Sequence, residues 1–309
     1  MIKYPTTFDE LMDNFPTEEA CIGYLCNLRW GKGFNCPKCD YPDYWETNKT
    51  LRTCKRCRHQ TTVFAGTMFH GTRKPLRDWF KAVWWVASQK YASSALGLQQ
   101  ELGLKSYQTA WTWLQKIRIA MAEPTGSMLS GFIEVDVVEI NRRKKGETSK
   151  QLFENSAVIF VAAEVKHREI HCIRISKAVD TSSSSITKFV SDNVQRGSKI
   201  LSHVRTGDAE LRKIGFKNIA HVQPGLIRTA GDVSHVGLVI TLLENWLLKS
   251  HHGDNYPKHL QAYLNEFVFK FNRRSISKRG LLFQGIMENA MLATPTTYNQ
   301  IIKDPATLK

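Results

Sequence analysis

The sequence predicts an α/β (α+β) protein: helical segments around a small β-rich element in its first part, then a mixed sheet covered by helices. Three observations predict it. Two Cys-x-x-Cys pairs, Cys36/Cys39 and Cys54/Cys57, lie 14 residues apart near the N-terminus. Apolar residues recur every three to four positions from Leu76 to Met121. After residue 130 the apolar period drops to two, as a half-buried strand requires.

At about 150 residues per domain, 309 residues suggest two domains with small additions. Hydrophobic residues at 42% and charged residues at 23% are ordinary globular composition, which excludes wholesale disorder and a fibrous protein. No apolar run approaches the roughly 18 residues of a membrane span. The opening MIKYPTTFDELMDNF lacks the apolar core of a signal peptide, so a cytoplasmic location is expected. Forty-three Lys and Arg against 28 Asp and Glu leave a net charge of +15. That excess favours a polyanionic partner. Nucleic acid comes before membrane, because no basic amphipathic anchor helix is evident. Plain solubility is the alternative use of such charge.

Residues 1–30 read as a helical N-terminal segment and 31–70 as a metal-stapled ribbon. Each Cys-x-x-Cys turn aims two thiolates at one point. Two such turns joined by a hairpin supply four sulfurs in a tetrahedron, the arrangement structural zinc prefers. A redox pair is the alternative, but that motif is normally single and opens a helix. Four sulfurs leave no open coordination position, so the zinc is structural. Cys21, Cys26 and Cys172 have no partner at ligand spacing and read as small buried residues. Arg52, Lys55, Arg56 and Arg58 crowd the second pair. They are candidate phosphate contacts or a solvated face.

In residues 71–122, Leu76, Phe80, Val83 and Ala87 form one apolar stripe. Ala95, Leu98 and Leu102 form a second, stopped by Gly103. Ser106 is placed to cap a third helix with stripe Ala110, Leu114, Ile117 and Met121. Two helices across a Gly turn make a helix-turn-helix candidate, with an ordinary helical hairpin as the alternative. Its second helix is expected to turn Tyr107, Gln108, Thr112 and Gln115 outward to meet base edges or phosphates. Trp79, Trp84, Trp85, Trp111 and Trp113 read as core. Glu123 to Ser127, with Pro124 and Gly126, breaks the helix and is the expected domain boundary.

The segment 130–275 reads as the larger domain and 276–309 as a C-terminal tail. Phe132–Ile140 is the first strand, with Glu134 and Asp136 on one face and Ile133, Val135 and Val137 on the other. A basic turn, Arg142-Arg143-Lys144-Lys145-Gly146, follows as a candidate phosphate contact. Strands are expected at Ala157–Val165, Glu169–Ile175, Lys199–Val204 and Asn218–Val222, with a helix capped near Thr181 to Ser185 and running to Val194. Helices are expected at about 236–250 and 256–271. Arg273, Arg274, Lys278 and Arg279 then offer themselves to phosphate or to water.

From about residue 7 to about 275 the chain resembles the zinc-ribbon insertion-sequence transposases of the ISXO type, related to the Merlin elements. The likeness rests on FPTEEACIGYLCNLRWGKGFNCPKC, AGTMFHGTRKPLRDWF, GLQQELGLKSYQTAWTWLQKIR, IEVD and YPKHLQAYLNEFVFKFNRR. The resemblance implies a ribonuclease-H-like catalytic domain of the DDE type. It also implies binding of terminal-repeat duplex DNA, a homodimer that pairs two element ends, and strand transfer by two magnesium or manganese ions held on three acids. Such ions, about 3.5–4 Å apart, stabilise the charge of phosphodiester attack and want carboxylate oxygens.

Carried over position by position, the first acid is Asp136. The second falls on His203, and the third on Gly237. Imidazole is a poor magnesium ligand, though it suits manganese or zinc, and glycine has no side chain. Residues 233–243 contain no Asp, Glu or Asn. Asp208, expected in a turn, Asp232 and Glu244 read as surface carboxylates. The expectation is a DNA-binding transposase relative that keeps its zinc and has lost strand transfer. The alternatives are an active enzyme with unconventional ligands and a domesticated DNA-binding regulator.

Overall fold

The computed structural model describes residues 4–124, 126–140, 157–202, 207–216, 219–221, 234–250 and 256–303. The chain divides into two compact units, residues 1–121 with 275–309, and residues 122–274.

In the first unit, α1 (Phe8–Asn14) and α2 (Glu18–Trp30) each begin at a threonine. Thr7 Oγ1 accepts from Glu10 N, and Thr17 Oγ1 accepts from Ala20 N, so two free helix-end donors are met. Three short strands follow: β1 (Tyr44–Asn48), β2 (Leu51–Cys54) and β3 (Gln60–Thr62), antiparallel in that order. Next come α3 (Leu76–Ser88), α4 (Ala95–Leu102) and α5 (Tyr107–Ala120). Pro75 stands at the start of α3 without a capping side chain. Glu18 of α2 does that work, accepting from Leu76 N at 2.7 Å and Arg77 N at 3.3 Å. A carboxylate there also complements the positive end of the helix.

The α4–α5 turn has half of the chemistry the sequence predicts: Gly103 stops α4, but Ser106 does not cap α5. Ser94 Oγ accepts from Gly97 N, and Gly103 ends α4 in the left-handed region at φ 61°. Leu104 N then donates back to Gln99 O, so α4 closes with its last carbonyls met. Ser106 stands just before α5, at its cap position, but its hydroxyl makes no capping bond. Trp79 of α3 stacks on Trp113 of α5 at 4.0 Å between ring centres. Trp79, Trp84 and Trp113 are buried, as core residues.

The segment expected as a tail carries α10 (Arg279–Leu292) and α11 (Tyr298–Lys303), which belong to this first unit. Phe283 of α10 joins Phe15, Tyr24 and Phe80 in one aromatic cluster. Gly280 lets α10 approach the N-terminal segment. A Cβ there would lie 2.4 Å from Pro5 O, so any larger residue clashes with backbone.

The second unit is a five-stranded mixed sheet flanked by helices. Its strands are β4 (Phe132–Ile140), β5 (Ala157–Lys166), β6 (Glu169–Lys177), β7 (Lys199–Ser202) and β8 (Ile219–His221). The order is β6-β5-β4-β7-β8, antiparallel from β4 through β6 and parallel from β4 through β8. Between strands run α6 (Ser183–Asn193) and α7 (Asp208–Lys213), and after them α8 (His235–Ser250) and α9 (Tyr256–Asn272). Asp208 therefore opens a short helix rather than lying in a turn.

Alternation along β4 sorts the two faces. Ile133 and Val135 pack with Phe160 and Ile200 against Ile186, Phe189 and Val190 of α6 and Leu211 of α7. The face carrying Glu134 and Asp136 lies opposite, since neighbouring residues of a strand point to opposite sides. Helix α8 packs against β4 and β5, and α9 against β6. As the edge strand, β6 would expose unpaired backbone groups. Helix α9 meets two of its residues: Asn272 pairs with both Ile173 N and Ile173 O, and Gln261 Oε1 accepts from Lys177 N.

Candidate functional site

The four cysteines converge. All four sulfurs lie within 4.8 Å of one another, with Cys36–Cys57 at 3.5 Å and Cys39–Cys54 at 3.6 Å. A tetrahedral zinc with bonds near 2.3 Å needs sulfurs about 3.8 Å apart, so the set fits zinc. Local turns supply the convergence. Asp40 N donates to Cys36 O and Arg58 N to Cys54 O, and Asp40 and Arg58 take positive φ of 59° and 60°. Burial raises the Cys54 thiol, but the backbone N–H groups of Cys57 and Arg56 and the thiols of Cys39 and Cys36 bring it down to about 7. Cys39 is pushed up to about 12: an N–H bond near Tyr41 lowers it, and burial and the three neighbouring thiols raise it further. Four thiols this close cannot all ionise without a cation between them. Bound zinc would replace their protons and hold β1 to β3, which bury little of their own surface.

The basic residues beside the ribbon divide. Arg52 lies between the rings of Trp30 and Tyr44, 4.1 and 4.0 Å from their centres, so it packs α2 against the strands. Arg52 is half-buried there, so the expected phosphate contact shares the residue with a packing role. Lys55 and Arg56 are exposed, and exposed Arg58 lies 4.2 Å over Trp45, itself 41% exposed.

On α5, Gln108 is exposed and Thr112 is half-buried, its hydroxyl donating to Gln108 O. Gln115 is 1% exposed, so its outward reading is corrected. α10 and α11 pack on α5 in addition to α3 and α4. The Gln115 amide group has no hydrogen-bond partner among the described residues. Arg273 bonds Glu123 at 2.7 Å and lies over Phe269, and Arg274 bonds Ile170 O and Phe271 O. Both guanidinium groups are engaged in holding the end of α9. Arg142 and Arg143 lie outside the described residues.

Of the three carried-over positions, 136 lies in β4 and 237 in α8, the helix that packs on β4. Asp136 is half-buried in β4, and its Oδ1 accepts from Val137 N. Ser202, the last described residue of β7, pairs with Val135, one residue before Asp136. His203 and Asp232 lie outside the described residues. Gly237 is in the first turn of α8, where its N–H donates to Ser234 Oγ. A Cβ at 237 would lie 2.8 Å from that hydroxyl, which can rotate away. Glu244 is exposed, seven residues further along α8.

Sequence reasoning missed the role of Glu134. It is buried at 4% exposure, accepts from Val236 N at 3.0 Å, and meets His235 Nδ1 at 2.8 Å. Nε2 of His235 faces Arg168 O at 3.1 Å. With an acceptor at each ring nitrogen, the imidazole is best satisfied when both carry protons. Burial lowers the His235 pKa, and the bonds to Glu134 and Arg168 outweigh it, leaving the group above its ordinary value. A strand carboxylate thus anchors the N-terminus of α8 beside Asp136. The only signal in the sequence was Glu134 on the face of Asp136. Among the described residues, the four cysteines are the group of three or more ligand side chains that come together.

Residues 16–60 match the family described as a transposase zinc-ribbon domain, and residues 128–272 match that of an ISXO2-like transposase domain. An uncharacterized protein in transposable element ISH50 of Halobacterium salinarum is 28% identical over 143 residues, 44% of this chain and 47% of that protein. The chain thus spans about half the length of that curated relative. A chain in the cryoEM structure of the simian T-cell lymphotropic virus intasome in complex with PP2A regulatory subunit B56 gamma aligns with TM-score 0.26 at 12% identity. It covers 56% of this chain and 63% of that one, and a score that low carries no argument.

Chelation should melt the ribbon selectively. With zinc removed at pH 7, hydrogen exchange should speed up in β1 to β3 and stay slow in β4 to β6; unchanged protection in β1 to β3 would contradict a structural metal. The His235 contact should make stability depend on pH. A raised folded-state pKa contributes stability fully below the unfolded value of about 6.5, and that stability is lost as pH rises through the folded value. Urea unfolding at pH 6 and pH 8 should therefore show a loss of stability at pH 8 that His235→Gln reduces; equal slopes in both proteins would refute the contact.

Proposed function

We propose, on the premise that this chain belongs to the insertion-sequence transposases that join a zinc ribbon to an ISXO2-like domain, that it binds the duplex ends of its element without cutting them. The first unit carries the DNA-binding groups and the second keeps the sheet of the catalytic domain without its acid set. The observation that carries this reading is the contrast between the two sites. Four cysteines stand at zinc-binding separation, while the first turn of α8 presents Gly237 and residues 234–243 hold no carboxylate. The adjacent carboxylate, Glu134, is engaged by His235 and Val236 N.

The polyanion is met by side chains rather than by shape. Lys55, Arg56 and Arg58 form the exposed cationic edge of the ribbon, and Gln108 the exposed start of α5. Each phosphate they neutralise releases a counterion, so binding weakens steeply with salt. Glu134 and His235 hold α8 against β4, and Asp136 keeps the place of the first metal ligand. A homodimer spanning two ends belongs to this reading and rests on the family alone.

Gel-shift titration with the terminal repeats of the element should show salt-dependent binding. Lys55→Gln with Arg56→Gln should flatten the log–log salt slope by about 2, at roughly 0.9 per phosphate contact. Nicking assays on the same duplex, with magnesium and then manganese, should give no product that depends on Asp136. Cleavage abolished by Asp136→Ala would overturn the loss of strand transfer, and indifference to duplex DNA would overturn the binding.

A further inference from the structure

A cavity of about 470 Å³ opens in the first unit along one face of α3. Arg77, Lys81, Trp84, Trp85 and Ser88 line it from that helix, at steps that keep them on one side. Arg279, the first residue of α10, adds a third cation, and Glu101 at the end of α4 is the one carboxylate in the lining. Among the described residues, none of the three cationic side chains is held in an ion pair. Arg77 Nε and Ser88 Oγ are buried with no hydrogen-bond partner among the described residues. Unmet buried donors in a native fold call for an explanation. The indole of Trp85 packs closely on α4: a Cβ on Gly97 would lie 3.0 Å from it.

We propose that this cavity takes a phosphorylated nucleoside. The phosphate sits among Arg77, Lys81 and Arg279, and the base lies against the indole wall. Several cationic donors from two helices suit an anion with several oxygens, and Arg is the residue that meets such groups in pairs. The volume is that of a site for one small ligand. A flat aromatic wall beside the cations distinguishes a nucleotide from a bare phosphate, because every base has a face that stacks on indole. The choice of a nucleotide over another phosphate ester rests on the DNA-binding reading above. Two sources carry this chemistry: a free nucleotide, and a nucleotide unit at the end of a DNA strand.

Calorimetric titration of the full chain tests it, with deoxyadenosine 5′-monophosphate, deoxyadenosine and a 5′-phosphorylated single-stranded oligonucleotide as probes. The monophosphate should bind at one site per chain, about tenfold or more tighter than the nucleoside. Lys81→Gln with Arg279→Gln should weaken it about tenfold, and Lys81→Arg should restore most of the affinity in the presence of native Arg279. Tighter binding of the oligonucleotide assigns the strand end as source, and tighter binding of the mononucleotide assigns the free ligand. No heat with either phosphorylated probe, or an affinity indifferent to the double variant, overturns the proposal. Element-end duplex bound by a protein that ignores the monophosphate defeats the cavity alone. A wild-type protein that binds the monophosphate and ignores duplex defeats the reading above instead.

Discussion

A buried carboxylate must be compensated, and Glu134 is compensated by a helix. Its two oxygens take the Val236 N–H and the His235 ring, so the start of α8 is fixed to the central strand two residues from Asp136. Left unpaired, a carboxylate at 4% exposure would be protonated or would open the sheet. Paired, it holds the first turn of α8, with position 237, against the strand that carries Asp136. What the sheet can hold there is decided by which side chains stand at 136 and 237 and by what Glu134 is already doing.

The ribbon depends on a different constraint. Three strands of five, four and three residues bury too little to fold on apolar area alone. Four sulfurs drawn to a common point supply the missing organisation, and Arg52 between Trp30 and Tyr44 joins the ribbon to α2. The residues that hold the element together are thus distinct from those left on its surface. Lys55, Arg56 and Arg58 stay exposed while Arg52 packs between the rings.

Much of this was legible in the sequence. Strand β4 runs over the predicted residues because strict alternation leaves no second register, and Gly103 stops α4 because only a left-handed residue closes that turn. Cysteine spacing sufficed for the metal site, since both halves are local turns. Long-range contacts were not legible. Glu134 and His235 are 101 residues apart, and nothing local marks either as a partner. Gln115 falls on the outward side of an isolated helix pair, but α10 and α11, which read as a tail, pack on α5 as well. Arg273 looked free for the same reason, its partner Glu123 lying 150 residues earlier.

The proposed loss of strand transfer turns on whether Asp136 takes part in holding a divalent ion. The direct measurement is manganese binding by electron paramagnetic resonance to the zinc-loaded protein, beside Asp136→Ala. The account predicts no manganese bound more tightly than about 1 mM through Asp136, the weak end of oxygen-ligand sites. One ion per chain held in the micromolar range, and lost in Asp136→Ala, would contradict it.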